Sequence, residues 1–225
     1  PDFGALSGTA FTALLNQPLP ETVRKIDVDE EGVYWSKRVT LPYRPHIGTL
    51  SCSPELDSIN SLTPDQHGGN MDLPDMGPGS ITYLPVRTPG GRLFIGDAHA
   101  CQGDGEVCGT AIESPMNAVL TLDLVKGANL AMPRFTTSGP VTRHLDAKGY
   151  EVTTGVGPDL MTGARQAVAD MVELLAARYG MNPVDAYMLV STCGDLRISE
   201  IVDMPNWVVS FYFCLLYTSP SPRDS

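Results

Sequence analysis

Glycine and proline punctuate this chain from end to end, 22 and 19 residues respectively, and their spread limits what the chain can fold into. Proline removes a backbone donor and glycine weakens helices, so few intervals can hold a helix of several turns. Up to about residue 138 the intervals are short runs rich in β-branched and aromatic residues, bounded by turn formers. That is the pattern of strands joined by tight connections. The candidate strands there are 32–41, 46–53, 80–87, 92–99, 108–114, 117–126 and 134–138. NAVLTLDLVK (117–126) alternates with period two, setting Val119, Thr121 and Asp123 against Leu120, Leu122 and Leu124. It reads as a half-buried antiparallel strand.

After residue 138 the pattern changes. A strand at 150–155 is followed by LMTGARQAVADMVELLAARYG, where Ala164, Ala167, Val168, Met171, Leu174 and Leu175 fall on one helical stripe. Asp159 can cap this helix and Gly180 can end it in the left-handed conformation. Asn182-Pro183 then reads as a cap with proline at the first helical position, opening a short helix through VDAYMLVS. Strands at 195–203 and 206–213 follow. The expected fold is α+β, a β-rich sandwich- or barrel-like part (1–138) with an added strand–helix–helix–strand part (139–213). Residues 214–225, CLLYTSPSPRDS, break this grammar and resemble a translated sequencing-adapter tail, so the natural strand before them is expected to be interrupted.

The formal net charge is −11, from 15 Lys and Arg against 26 Asp and Glu. No basic excess exists to neutralise phosphates, which argues against a nucleic-acid partner. The same balance disfavours an anionic membrane surface. Five cysteines form no CxxC pair, so neither a zinc ribbon nor a dithiol redox site is suggested. Free thiols in a reducing cytosol are the plain reading, which makes the expected location cytoplasmic.

The chemistry concentrates in GDAHACQGDGEVCGTAIE, Gly96 to Glu113, which runs straight out of the apolar strand RLFI. On an extended chain Asp97 and His99 point to the same face, so they can converge on one metal ion, or Asp97 can orient the imidazole. Gln102-Gly103-Asp104-Gly105-Glu106 then alternates polar side chains with glycines that permit close approach. Two carboxylates so near each other cannot both be buried and ionised without a cation or a shared proton. Upstream, HGGNMD repeats the i, i+2 relation with Asn70 and Asp72. Taken singly, each piece is as well explained by an acidic or Asx-rich turn. The EF-hand spacing, the G-x-S-x-G elbow, the phosphate-binding loop and the dinucleotide fingerprint are all missing. Cys101 and Cys108 flank carboxylates, which raise a thiol pKa, so packing is the better reading for both. His46, at the start of a strand, and His144 read as structural.

Taken in order, GGNMD, LPV and IGDAHACQGDGEVCGTAIE resemble the acetamidase/formamidase family. The likeness extends from HIGTLSCSPE through both helical segments to LRISEIVDMPNWVV. The resemblance implies hydrolysis of short aliphatic amides, formamide or acetamide, to a carboxylate and ammonia. It also implies an oligomer, expected here as a homo-oligomer, and a divalent metal, zinc or calcium. The positions it carries over are Gly69, Asn70, Asp72, Asp97, His99, Gln102, Asp104, Glu106 and Glu113. On this reading His99, Asp97 and Asp72 hold the metal, and Glu106 is the general base with Glu113 or Asp104 as partner. Asn70 or Gln102 would donate to the developing oxyanion. Family members begin with strands and an acidic segment that have no counterpart before Pro1, so roughly a first quarter is expected to be missing. Two rival readings remain: Cys101 as a nucleophile without metal, and a non-enzymatic β domain whose acidic loops bind a cation or a partner.

Overall fold

A computed structural model of the chain describes residues 3–8, 14–15, 20–56, 58–139, 141 and 149–214. It is an α+β protein with twelve strands and two helices among these residues. The strands β1 (Phe3–Gly8), β2 (Thr22–Val28), β3 (Val33–Ser36) and β4 (Val39–Leu41) form an antiparallel meander. A second sheet sets β5 (His46–Ser51) between β6 (Gly68–Asn70) and β8 (Phe94–His99). A small pair joins β7 (Ile81–Tyr83) to β9 (Arg134–Thr136). The last sheet has the order β10–β12–β11, from Tyr150–Gly157, Trp207–Cys214 and Asp195–Glu200.

Both helices stand where their end signals put them. In α1 (Leu160–Tyr179) the Asp159 side chain accepts from Thr162 N, and Gly180 closes the helix at φ 65°. In α2 (Pro183–Cys193) the Asn182 side chain accepts from Val184 N, with Pro183 in the first turn. Pre-set proline geometry and a satisfied orphan donor favour these starts. The α1 stripe of Ala167, Val168, Met171 and Leu175 is buried in one core cluster with Phe211 and Phe213 of β12. Burial of each large side chain contributes about 1.5–3 kcal/mol. The same cluster takes in Ile26, Val28, Trp35 and Leu41 from the meander, so one core serves both parts of the chain.

The structure corrects the sequence reading in several places. Strands β1 and β2 were not anticipated, because residues 1–31 carry no clean alternation. The run 32–41 is a hairpin rather than one strand. Ser36 Oγ accepts from the backbone of Arg38 and Val39, and that local bond turns the chain. Residues 108–114 form no strand, and their β-bridges are isolated ones at Glu113, to Ala5 and to His99. The 117–126 segment has no strand partner among the described residues, and Val119 is 97% and Leu122 70% exposed. Alternation marks a strand only where a second strand and a surface complete it. Cys214 is buried and is the last residue of β12, paired with Tyr150. The remaining residues 215–225, and His144, lie outside the described residues.

Candidate active site

The β5–β8 register places His46 directly opposite His99, and the β5–β6 register places Thr49 opposite Asn70. Asp72 lies two residues beyond the end of β6 and Asp97 lies within β8, so the three strands bring their polar residues to one end of the sheet. Gly48, between His46 and Leu50 on β5, makes room for them. A Cβ there would lie 2.5 Å from Asp97 Oδ2 and closer still to Asp72 Oδ1. Asp72, Asp97 and Glu106 all have positive φ, at 47°, 59° and 45°. Left-handed backbone is unfavourable for such residues and persists only where the surroundings impose it, a pattern concentrated at functional sites.

His99 is the centre of the cluster and is 1% exposed. Its Nε2 lies 3.1 Å from Asp97 Oδ1 and 3.3 Å from Glu113 Oε2, yet hydrogen-bonds to neither. Burial disfavours charge on this ring, but Asp97 and Glu113 outweigh it and carry His99 up to about 11. Contact with His99 in turn draws Asp97 down to about 2. Burial pushes Asp72 up to about 6, with His99 opposing and Asp97 adding to the rise. Burial and the charge of Asp72 push Glu106 up to about 8. At neutral pH Glu106 therefore holds a proton beside Asp72, and the crowding anticipated from the sequence is relieved by proton sharing and by one imidazolium. These groups titrate together, so the directions belong to the cluster.

The donor set also fits a divalent cation. Ligand atoms of Asp72, Asp97 and His99 lie within 4.8 Å of one another, as do those of His99, Glu106 and Glu113. Asp72 Oδ1 and His99 Nε2 are buried without a hydrogen-bond partner among the described residues. Such atoms are expensive to bury unless something completes them. Carboxylate oxygen with imidazole nitrogen is a donor set that zinc accepts, while an oxygen-rich site suits calcium.

The amides flanking these ligands are already engaged. Asn70 Nδ2 donates to Asp72 Oδ2 at 2.9 Å and Asn70 Oδ1 accepts from Thr49 Oγ1. Gln102 Nε2 donates to the Asp72 carbonyl at 2.7 Å, while its Oε1 faces His99 Nδ1 at 2.8 Å and His46 Nε2 at 2.9 Å. Both amides hold other site groups in place. Asp104 belongs to neither group of mutually close ligand atoms. Its backbone carbonyl accepts from Leu196 at the start of β11.

The acidic loop owes its shape to α2. Gly103 N donates to Ser191 O, and its Cα packs so tightly on Gly194 that a side chain would strike that backbone. Ser191 Oγ accepts from Cys108 N and donates to Thr110 O, while Tyr187 OH donates to Val107 O and accepts from Leu15 N. On the other flank β1 holds Glu113, through paired backbone bonds of 2.8 Å between Ala5 and Glu113. Cys101 Sγ donates to Thr192 O, and burial raises this thiol to about 12. A nucleophilic thiolate needs the opposite environment.

The site thus gathers Asn70, Asp72, Asp97, His99, Gln102, Glu106 and Glu113, and leaves Asp104 at its edge. It adds His46, which sequence reasoning set aside as structural. Burial and the neighbouring His99 hold His46 neutral, down at about 4. The overlooked signal was the spacing His46-Ile47-Gly48, a polar group and a gap on one face of a strand.

An α+β chain with a histidine-centred, acidic site on strand ends is the class that fold and geometry define. The chain belongs to the Acetamidase/Formamidase family, whose profile matches residues 56–215. It is similar to the acetamidase of Yersinia enterocolitica, with 52% identity and a TM-score of 0.51, covering 95% of this chain and 61% of that one. The formamidase of Methylophilus methylotrophus is 32% identical over 67% of this chain and 40% of its own length. The gamma lactamase of Delftia acidovorans shares the fold, with a TM-score of 0.78 at 21% identity, over 98% of this chain and 71% of that one. The chain spans 38% to 40% of the length of the first curated relatives it matches.

Proposed function

We propose that the protein carrying this chain hydrolyses short aliphatic amides, formamide or acetamide, to a carboxylate and ammonia. The observation that carries the reading is a pair of atoms buried without a hydrogen bond among carboxylates, His99 Nε2 and Asp72 Oδ1, within a family of amidases. His99, Asp97 and Asp72 would hold a divalent cation, zinc or calcium. When bound, such a cation supplies a Lewis acid that acidifies water and polarises an amide carbonyl. Glu106, ionised once a cation's charge offsets that of Asp72, could take a proton from water and return it to the leaving nitrogen. Glu113, held by β1, faces His99 as a second carboxylate, and Asn70 orients Asp72. The β-rich part to about residue 138 would be the sandwich- or barrel-like half that carries these groups, and the helices of the following part brace it. No helix among the described residues is long and apolar enough to cross a membrane, and a homo-oligomer remains part of this reading.

The test is ammonia release from formamide and acetamide by the complete protein that carries this chain. Glu106→Gln should lower turnover by about 10²–10⁴, the usual worth of a positioned acid–base group. His99→Ala should abolish it, and a chelator should do the same until zinc or calcium is restored. Unchanged turnover in both variants would exclude these roles. Activity lost to thiol alkylation but not to chelation would instead favour Cys101.

A further inference from the structure

We propose that His46 is a positioning residue which, through the shared acceptor Gln102 Oε1, fixes a hydrogen on His99 Nδ1, so that Nε2 is the nitrogen left to ligate a cation once its own proton has been displaced. The inference deepens the cation-site reading above and rests on it. The geometry begins at Gln102, which is buried and whose Nε2 lies 2.7 Å from the Asp72 carbonyl. A carbonyl oxygen only accepts, so the nitrogen of the Gln102 amide must face it and the oxygen must face the two rings. Amide oxygen also only accepts. The ring nitrogens against it are His99 Nδ1 at 2.8 Å and His46 Nε2 at 2.9 Å, which also lie 3.2 Å from each other; a bare nitrogen at either place would set its lone pair against that oxygen, so each carries its hydrogen toward Oε1.

For His99 this leaves Nε2 as the atom without a required proton. That is the buried, unpartnered nitrogen lying between Asp97 and Glu113. The hydrogen on the far nitrogen of an imidazole decides which nitrogen is free to ligate.

His46 supplies the second donor. It is buried, sits opposite His99 in the strand register, and meets its ring edge to face at 89° with centroids 4.9 Å apart. With both lone pairs of Oε1 occupied, the Gln102 amide cannot turn over without losing three hydrogen bonds. His46 Nδ1 lies 3.3 Å from the Arg44 carbonyl, and Nε2 carries the hydrogen whether or not Nδ1 does. The assignment therefore does not depend on the charge of His46. This explains why a histidine stands at the head of β5, touching no carboxylate.

The experiment uses this chain with ¹⁵N-labelled histidine, read by long-range ¹H–¹⁵N correlation with and without Zn²⁺, beside calorimetric titration of Zn²⁺. The expected spectrum has hydrogen on His46 Nε2 and on His99 Nδ1, with Zn²⁺ perturbing His99 Nε2. His46→Met should weaken Zn²⁺ binding by about 10–100-fold, the usual effect of losing a group that orients a ligand. His46→Gln, which keeps an N–H at that height, should restore most of the loss. A bare His99 Nδ1, or unchanged spectrum and affinity in His46→Met, would overturn the proposal. Should His46→Met fail to fold, the spectrum of the unaltered chain decides. Neither readout uses amide turnover. A chain that binds no Zn²⁺ would refute the cation site, while the hydrogens on the two rings are still read.

Discussion

Gly48 shapes the site by what it lacks. Its missing Cβ is the space that the Asp72 and Asp97 carboxylates occupy. Gly48→Ala should force those groups apart, with a destabilisation of about 1–3 kcal/mol by urea denaturation and a loss of cation affinity. Charge gives a second prediction at this scale. Glu106 and His99 both hold protons in the folded, cation-free state well above their ordinary values. The folded state then binds more protons than the unfolded one from the ordinary glutamate range upward. Below about 6.5 His46, held neutral, acts in the opposite sense, so the fall in stability should show as pH rises through about 8 and on toward about 11. A melting-temperature series against pH checks the sign, and added Zn²⁺ or Ca²⁺ should flatten the alkaline decline. Sequence reading reached Asp72, Asp97 and His99 because i, i+2 spacing is visible in letters, Glu106 through the alternation of polar residues with glycine, and Glu113 through the family resemblance alone. It missed His46, whose meaning comes from a register partner far along the chain. It also could not show the left-handed backbone of three carboxylates, since no turn residue advertises it.

Among elements, the helices were legible because their instructions are local. Asp159, Gly180, Asn182 and Pro183 each act within a turn of where they stand. Hydrogen bonds from Thr162 hold the Asp159 carboxyl below its ordinary value. Its stabilisation is therefore present above about 3.8 and lost as pH falls through the lower folded value. Asp159→Ala should lower the melting temperature at neutral pH, and the difference should vanish in acid. Strands were legible only where the partner was close by or the burial one-sided. Residues 32–41 hid a hairpin that one serine hydroxyl turns, and 117–126 promised a ladder that the described residues do not complete. The helix α2 has a second duty, bracing the acidic loop. Tyr187→Phe should leave the buried Leu15 N–H and the Val107 carbonyl without their partner. Loss of a buried partner of this kind costs about 1–3 kcal/mol, and hydrogen exchange in residues 103–110 should speed up even where the helix stays intact.

At the scale of the whole molecule, one core joins meander, acidic loop and helical layer, so the site is braced from several directions at once. Against this, the run from Val119 to Val125 leaves Val119, Leu120, Leu122, Leu124 and Val125 exposed. A contiguous apolar surface of this kind binds hydrophobic dyes in an otherwise native protein. The chain should enhance ANS fluorescence, and Leu122→Lys with Leu124→Lys should reduce it without lowering the melting temperature. The left-handed carboxylates Asp72, Asp97 and Glu106 have a wider consequence. Asp72 and Glu106 each combine an unfavourable backbone with a poorly solvated acid, so glycine at either would relieve strain and desolvation together. Laboratory evolution for thermal robustness alone would drift toward those glycines, producing a hardier and chemically silent protein. Screens on this scaffold therefore need a catalytic readout from the first round.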